Sequence, residues 1–228
     1  MKSLKMQSLF RLSFALVVVC GLLWGAAPAA AQPLPDVITV GTVVANGPVV
    51  VVPVYVRDVA GTPLGIDQPF GSRIQAFSIK VDYPVSPFIT SVTFTRAGIT
   101  APLTPTFENS PSAPGTISLI MTFDETTNLV PFVSNAPLPG NQIGQLTFTF
   151  NNATPPGTLI PLTIDPALTQ LGNEAGTTSE TLQNGGLLPI DGSVTMLAIP
   201  AAIAVPTAST WGLILLAAAL AVLVLRRI

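Results

Sequence analysis

Histidine is absent from this 228-residue chain, and cysteine occurs once, at Cys20. The first absence removes the commonest general base, the commonest metal ligand and every nucleophile activated by an imidazole. The second removes disulfide stapling: Cys20 lies inside an N-terminal apolar run, so the rest of the chain depends on its apolar core alone. Charge is scarce too, at 9% of residues. Five of the nine basic residues, Lys2, Lys5, Arg11, Arg226 and Arg227, sit at the two ends. Between Asp36 and Asp191 only Arg57, Arg73, Lys80 and Arg96 stand against all eleven acidic residues, a net charge of −7. That balance excludes a nucleic-acid partner, which requires a basic face. Gly-rich phosphate loops are missing as well. Both tryptophans, Trp24 and Trp211, belong to the ends, which leaves Tyr55 and Tyr83 as the ring platforms a sugar could stack on.

The basic ends and acidic middle are a topological pattern, since positive charge stays on the cytoplasmic side of a membrane while the translocated part is free to be acidic. Lys2, Lys5 and Arg11 precede the apolar run 14–24, and the small residues Ala29 and Ala31 precede Gln32. Positive leader, apolar core and A-x-A site in that order predict a signal peptide over 1–31, cleaved after Ala31. At the other end, Trp211 to Leu225 is a run of fifteen apolar or small residues. As a helix it spans about 22 Å at ~1.5 Å per residue, short for a hydrocarbon core of about 30 Å. Trp211 at one interface and Arg226-Arg227 at the cytoplasmic one still favour a membrane-inserted tail over 211–228.

The string Val205-Pro206-Thr207, then Trp211-Gly212, an apolar run and the pair Arg226-Arg227, resembles the PEP-CTERM and IPTL-CTERM sorting signals of envelope-building Gram-negative bacteria. The resemblance implies a membrane-embedded sorting peptidase of the exosortase type as a partner. It also implies at least transient anchoring in the inner membrane. Val205-Pro206-Thr207-Ala208 matches neither the Pro-Glu-Pro nor the Ile-Pro-Thr-Leu form at every position, so the responsible peptidase and the cleavage stay open. Residues 198–210 are expected to be a linker carrying the sorting motif.

Between the ends, 23 prolines and 18 glycines, most of them in the middle, mark many turns and short strands. Apolar residues alternate at period two over Val37–Val44, Gln75–Tyr83, Phe88–Thr95, Gly115–Phe123, Gln142–Phe150, Leu159–Ile164 and Gly192–Met196. Val49–Arg57 is almost continuously apolar, with Pro53 demanding a bulge or an edge. In Gln75–Tyr83, Phe77, Ile79, Val81 and Tyr83 fall on one face, and Ala76, Ser78, Lys80 and Asp82 on the other. Eight or nine short strands without helical periodicity predict an all-β, two-sheet jelly-roll sandwich over 32–197.

The strings Val52–Val56, Ile74–Tyr83, Ile89–Val92, Pro114–Leu119, Gly144–Phe150 and Asp191–Thr195 together look like a cohesin-type domain, a jelly roll related to some carbohydrate-binding modules. In cohesins one sheet face binds a dockerin module on a partner protein. The resemblance therefore implies an exported, non-enzymatic protein-interaction module, with binding of carbohydrate or an exopolysaccharide matrix as the alternative. The residues themselves offer little chemistry. Asp124 and Glu125 are the only adjacent acidic pair, and both read as solvated turn residues rather than a hydrolytic pair. No catalytic, cofactor or metal residue is assigned. Calcium alone is left open, because Asp58, Asp67, Asp165 and Asp191 stand beside Gly, Pro or Asn in expected loops. Turn aspartates have reasons of their own.

Overall fold

The computed structural model describes residues 34–197, together with Leu215. In chain order the strands are β1 (Asp36–Val40), β2 (Thr42–Ala45), β3 (Val49–Arg57), β4 (Ala76–Asp82), β5 (Ile89–Arg96), β6 (Phe107–Asn109), β7 (Ser112–Ala113) and β8 (Thr116–Thr122). They continue with β9 (Asn141–Phe150), β10 (Leu159–Ile164), β11 (Gln170–Gly172), β12 (Ser179–Thr181), β13 (Leu187–Ile190) and β14 (Gly192–Met196). A single 3-10 turn, Gly98–Thr100, interrupts them, so the described chain is all-β as expected.

Two sheets face each other. One has the order β13-β1-β3-β9-β5, and the other runs β12-β11-β4-β10-β14-β2 with β8 on the free side of β4 and β6 and β7 beyond it. Pairing is antiparallel except for β1 with β13 and β14 with β2. Strands β4, β8 and β10 alternate strictly between buried and more exposed positions, as period-two patterning requires. Inward faces meet in one core that includes Phe77, Phe94, Phe123, Phe148, Ile79, Leu119 and Leu146. Phe77 and Phe123 meet edge to face at 6.3 Å, and Tyr83 meets Phe148 at 5.5 Å. Each fully buried apolar side chain of this size contributes about 1.5–3 kcal/mol, which is what a chain without disulfides depends on.

The sandwich has more strands than its sequence pattern suggests. β6, β7, β11, β12 and β13 are two to four residues long, too short to display a period. The stretch Val37–Val44, expected as one strand, is two. It breaks at Gly41, sending β1 into the five-stranded sheet and β2 into the other. The crossing is tight: the Gly41 N–H donates to the Pro53 carbonyl at 2.8 Å, and a Cβ there would stand 3.0 Å from the Pro53 ring. The irregularity expected at Pro53 lies one residue on, as a register shift between Val54 and Tyr55 against β9. Pro53 sits where β1 pairing ends, so its missing N–H leaves no partner unsatisfied.

Candidate functional site

Register places the side chains of the larger sheet's outer face in rows. Phe107 of β6, Thr122 of β8 and Ala76 of β4 form one row, and Asn109, Ile120, Ser78 and Gln170 the next. Ser118 lies beside Lys80, and Thr116 beside Asp82, which has Thr163 on its other side. Lys80 is the charge at the centre. Its Nζ donates to Asp165 Oδ2 at 2.7 Å and stands 3.7 Å from Asp82 Oδ1. The hydrogen bond to Asp165 raises the Lys80 ammonium and lowers the Asp165 carboxyl. Phe107 is 52% exposed at the rim of this face. The outer face of the five-stranded sheet differs in kind. There Ser91, Thr149 and Val49, then Thr93, Thr147 and Val51, then Thr95, Gln145 and Pro53 form three neutral rows with no charged side chain.

A second constellation lies at the loop Asp58–Ser72, which is rich in Gly and Pro. Carboxylates brace it, Asp58 and Asp67 from within and Asp36, Glu125 and Glu180 from the body of the protein. Asp36 Oδ1 accepts the Val59 N–H at 2.7 Å, Asp67 Oδ2 that of Gly61 at 3.0 Å, and Glu180 Oε1 that of Leu64 at 2.9 Å. Asp58 Oδ2 accepts from Ile66 at 2.9 Å, and Glu125 Oε2 from Gly71 at 2.8 Å. Asp36, Asp58 and Glu180 are all fully buried. Burial, reinforced by Glu180, pushes the Asp36 carboxyl up to about 9, and burial also raises Glu180 and Asp58. Asp36 and Glu180 hydrogen-bond to each other, so one of them keeps its proton at neutral pH.

The acidic residues singled out in the sequence divide accordingly. Asp124 is a solvated turn residue as expected, accepting from the Thr126 and Thr127 N–H groups at 2.8 and 2.9 Å, and the Thr126 hydroxyl lowers its pKa. Glu125 is not. It is buried, 3.6 Å from the Arg73 guanidinium, because it anchors the far end of the 58–72 loop. Of the four aspartates weighed for calcium, Asp58 and Asp67 converge at Gly65. Asp165 is held by Lys80, and Asp191 accepts the Ile164 N–H at 2.9 Å. Among the described residues no group of three or more His, Cys, Asp or Glu is arranged to hold a metal ion. Asp36 and Glu180 gave no sequence signal, because their partners are distant in the chain. Ala29, Ala31, Val205, Pro206, Thr207, Trp211, Gly212, Arg226 and Arg227, and the tail helix, lie outside the described residues. Among the described residues no helix is long and apolar enough to cross a membrane.

Residues 203–228 match the IPTL-CTERM motif. In fold, the chain is similar to solved cohesins. The CaCohA2 module from Clostridium acetobutylicum, in its complex with CaDoc0917, superposes with a TM-score of 0.50 at 22% identity, over 71% of this chain and 99% of that one. The sixth cohesin of scaffoldin B from Acetivibrio cellulolyticus, solved with the Cel5 dockerin, gives 0.51 at 14% identity, again over 71% and 99%. The third ScaC cohesin from the same organism, solved with the ScaB dockerin, gives 0.50 at 17%, over 72% and 99%. No curated protein matches the chain in sequence. The domain therefore has the cohesin jelly-roll fold, and the chain ends in a sorting motif of the IPTL-CTERM kind.

Proposed function

We propose that this chain is an exported, non-enzymatic interaction module that presents its cohesin-like domain at the cell envelope or outside the cell and binds a dockerin-like module there. The observation that carries the reading is the superposition of 71–72% of this chain on cohesins solved with dockerins, over 99% of each of them. The IPTL-CTERM match at 203–228 supports delivery to the envelope through a sorting peptidase that recognises the tail. Residues 1–31 supply the export signal, and 211–225 hold the protein in the inner membrane until sorting.

The docking face we assign is the outer face of the larger sheet. It combines apolar anchors at Phe107 and Ile120 with hydrogen-bonding Ser78, Asn109 and Ser118, and with a fixed charge at Lys80. Mixed chemistry of this sort gives an interface both area and register, whereas the outer face of the other sheet is mostly Thr, Ser and Val, with its aromatic and its charge, Tyr55 and Arg57, confined to one end of β3. A carbohydrate role has no comparable support. Tyr83 is packed edge-on against Phe148, and Tyr55 is half-buried, so neither presents an open ring platform.

The test is capture from an envelope extract of the source organism on the immobilised chain, beside retention on that organism's isolated exopolysaccharide. Recovery of a small module with calcium-binding loops is the expected result. Binding to polysaccharide with no protein recovered overturns the proposal.

A further inference from the structure

We infer that one end of the sandwich, the end from which the chain runs on toward the 211–225 tail, rests on the lipid surface while that tail is inserted. The placement depends on the membrane-held tail proposed above. Backbone hydrogen bonds define this end. The Leu197 N–H donates to the Ala45 carbonyl at 2.9 Å, and the Gly157 N–H to that of Met196 at 2.7 Å. The Phe150 N–H donates to the Pro48 carbonyl at 2.7 Å, and the Asn151 N–H to that of Phe88 at 2.9 Å. The Tyr83 N–H donates to the Gly115 carbonyl at 2.8 Å. The turns 46–48, 83–88, 110–115 and 151–158 therefore gather around Leu197, the last described residue of the domain. Thirteen residues, 198–210, separate it from the apolar run. A flexible chain of that length averages about 20 Å end to end, which keeps this end of the domain within reach of the bilayer.

This end is uncharged. No Asp, Glu, Lys or Arg occurs in 42–51, 83–95, 110–119, 144–164 or 192–197. Val44, Thr195 and Leu159 form the last outward row of the larger sheet, and Val49, Thr149 and Ser91 that of the other. Val85, in the turn 83–88, is 74% exposed, and Val44, Val49, Leu159 and Leu197 are exposed as well. Exposed apolar side chains occur at the far end too, Phe70 and Leu138 among them, but in loops that also carry Asp67 and Asp124. Glu174 and the buried pair Asp36 and Glu180 belong to that far end, and Asp191 precedes β14, whose other end leads to Leu197. Asp82, which ends β4, is countered by Lys80 at 3.7 Å. The ten residues of β9 alone span about 33 Å at ~3.3 Å each, so the far-end acids stand several screening lengths of about 8 Å from the near end. A layer of anionic headgroups therefore meets neutral, partly apolar side chains, which lose little by leaving water, while most of the excess negative charge lies away from it.

The experiment uses the full chain with Cys20→Ser, so that an introduced cysteine is the only thiol. It is reconstituted into vesicles of phosphatidylethanolamine and phosphatidylglycerol that contain a nitroxide-labelled phospholipid. An environment-sensitive fluorophore is attached at Val85→Cys, at Ala175→Cys in an exposed turn of the far end, or at Ala218→Cys in the tail. Quenching at Val85→Cys and at Ala218→Cys is expected, with none at Ala175→Cys. Leu159→Glu, an exposed change, should reduce the quenching at Val85→Cys and leave that at Ala218→Cys unaltered. The tail reports on itself: no quenching at Ala218→Cys removes the inserted tail, and the placement with it. Quenching at Ala218→Cys with none at Val85→Cys, or with equal quenching at Val85→Cys and Ala175→Cys, leaves the tail in the membrane and overturns the placement alone. So does a blue-shifted but unquenched label at Val85→Cys, the sign of a second copy or another protein on this end.

Discussion

The carboxyl group of Asp36, at the start of the first strand, is hydrogen-bonded to that of Glu180, near the end of the domain, with both residues fully buried. Each also holds a backbone N–H of the 58–72 loop, Asp36 that of Val59 and Glu180 that of Leu64. Three distant segments are fixed to one another through two acids and a proton.

Stability should therefore fall as pH rises. Asp36 ionises near 3.8 when unfolded and near 9 in the fold, so the folded chain holds the extra proton across that window. The contribution is complete below about pH 3.8 and is lost as pH approaches 9. Glu180 and Asp58 are raised and act in the same sense. Asp124 and Asp165 are lowered, so they act in the opposite sense, but below 3.8. With no histidine to titrate between them, thermal unfolding in EDTA should give a higher midpoint at about pH 5 than at about pH 8. Glu180→Gln should flatten that slope, because its amide can donate to an ionised Asp36. A midpoint that rises toward pH 8 would contradict the buried acid pair.

A second prediction concerns the crossing of the chain between sheets. Gly192 opens β14 directly against Gly41, and a Cβ there would overlap the Gly41 and Val40 carbonyl oxygens. Backbone atoms cannot yield as a flexible side chain can. Gly192→Ala should cost about 1–3 kcal/mol or more in urea unfolding, the range for overpacked interiors. Gly47→Ala, at a turn glycine with open space around it and no left-handed φ, provides a control for general loss of glycine. If the two variants unfold at the same urea concentration, the close approach of Gly41 and Gly192 is not limiting.

The contrast shows what was readable beforehand. Period-two alternation marked β4, β8, β9, β10 and β14 within a residue or two, since each buries one face over five to ten positions. The Gly41 crossing was hidden, because the residues on both sides continue to read as one strand. The acidic cluster was hidden more deeply. Nothing local distinguishes Glu125, which anchors Gly71 from the core, from its solvated neighbour Asp124. Burial of a carboxylate is decided by the distant amides that solvate it, and sequence spacing carries no record of those.

Processing of the ends is open to a single mass measurement. Intact mass of the protein isolated from cells should correspond to a chain that starts at Gln32 and ends between Val205 and Thr210. A mass retaining Arg227 would make the tail a plain anchor, and one retaining Lys2 would remove the export signal.

The most direct test of the module's role is the affinity of the captured partner for two variants, one on each outer face of the sandwich. Ile120 lies at the centre of the assigned face and Val51 at the centre of the other, and neither is fully buried. Ile120→Glu should weaken binding by about 2 kcal/mol or more, the scale of an interface hot spot, while Val51→Glu binds as the parent does. Equal binding by both variants, or loss confined to Val51→Glu, would contradict docking through the face of β4 and β8.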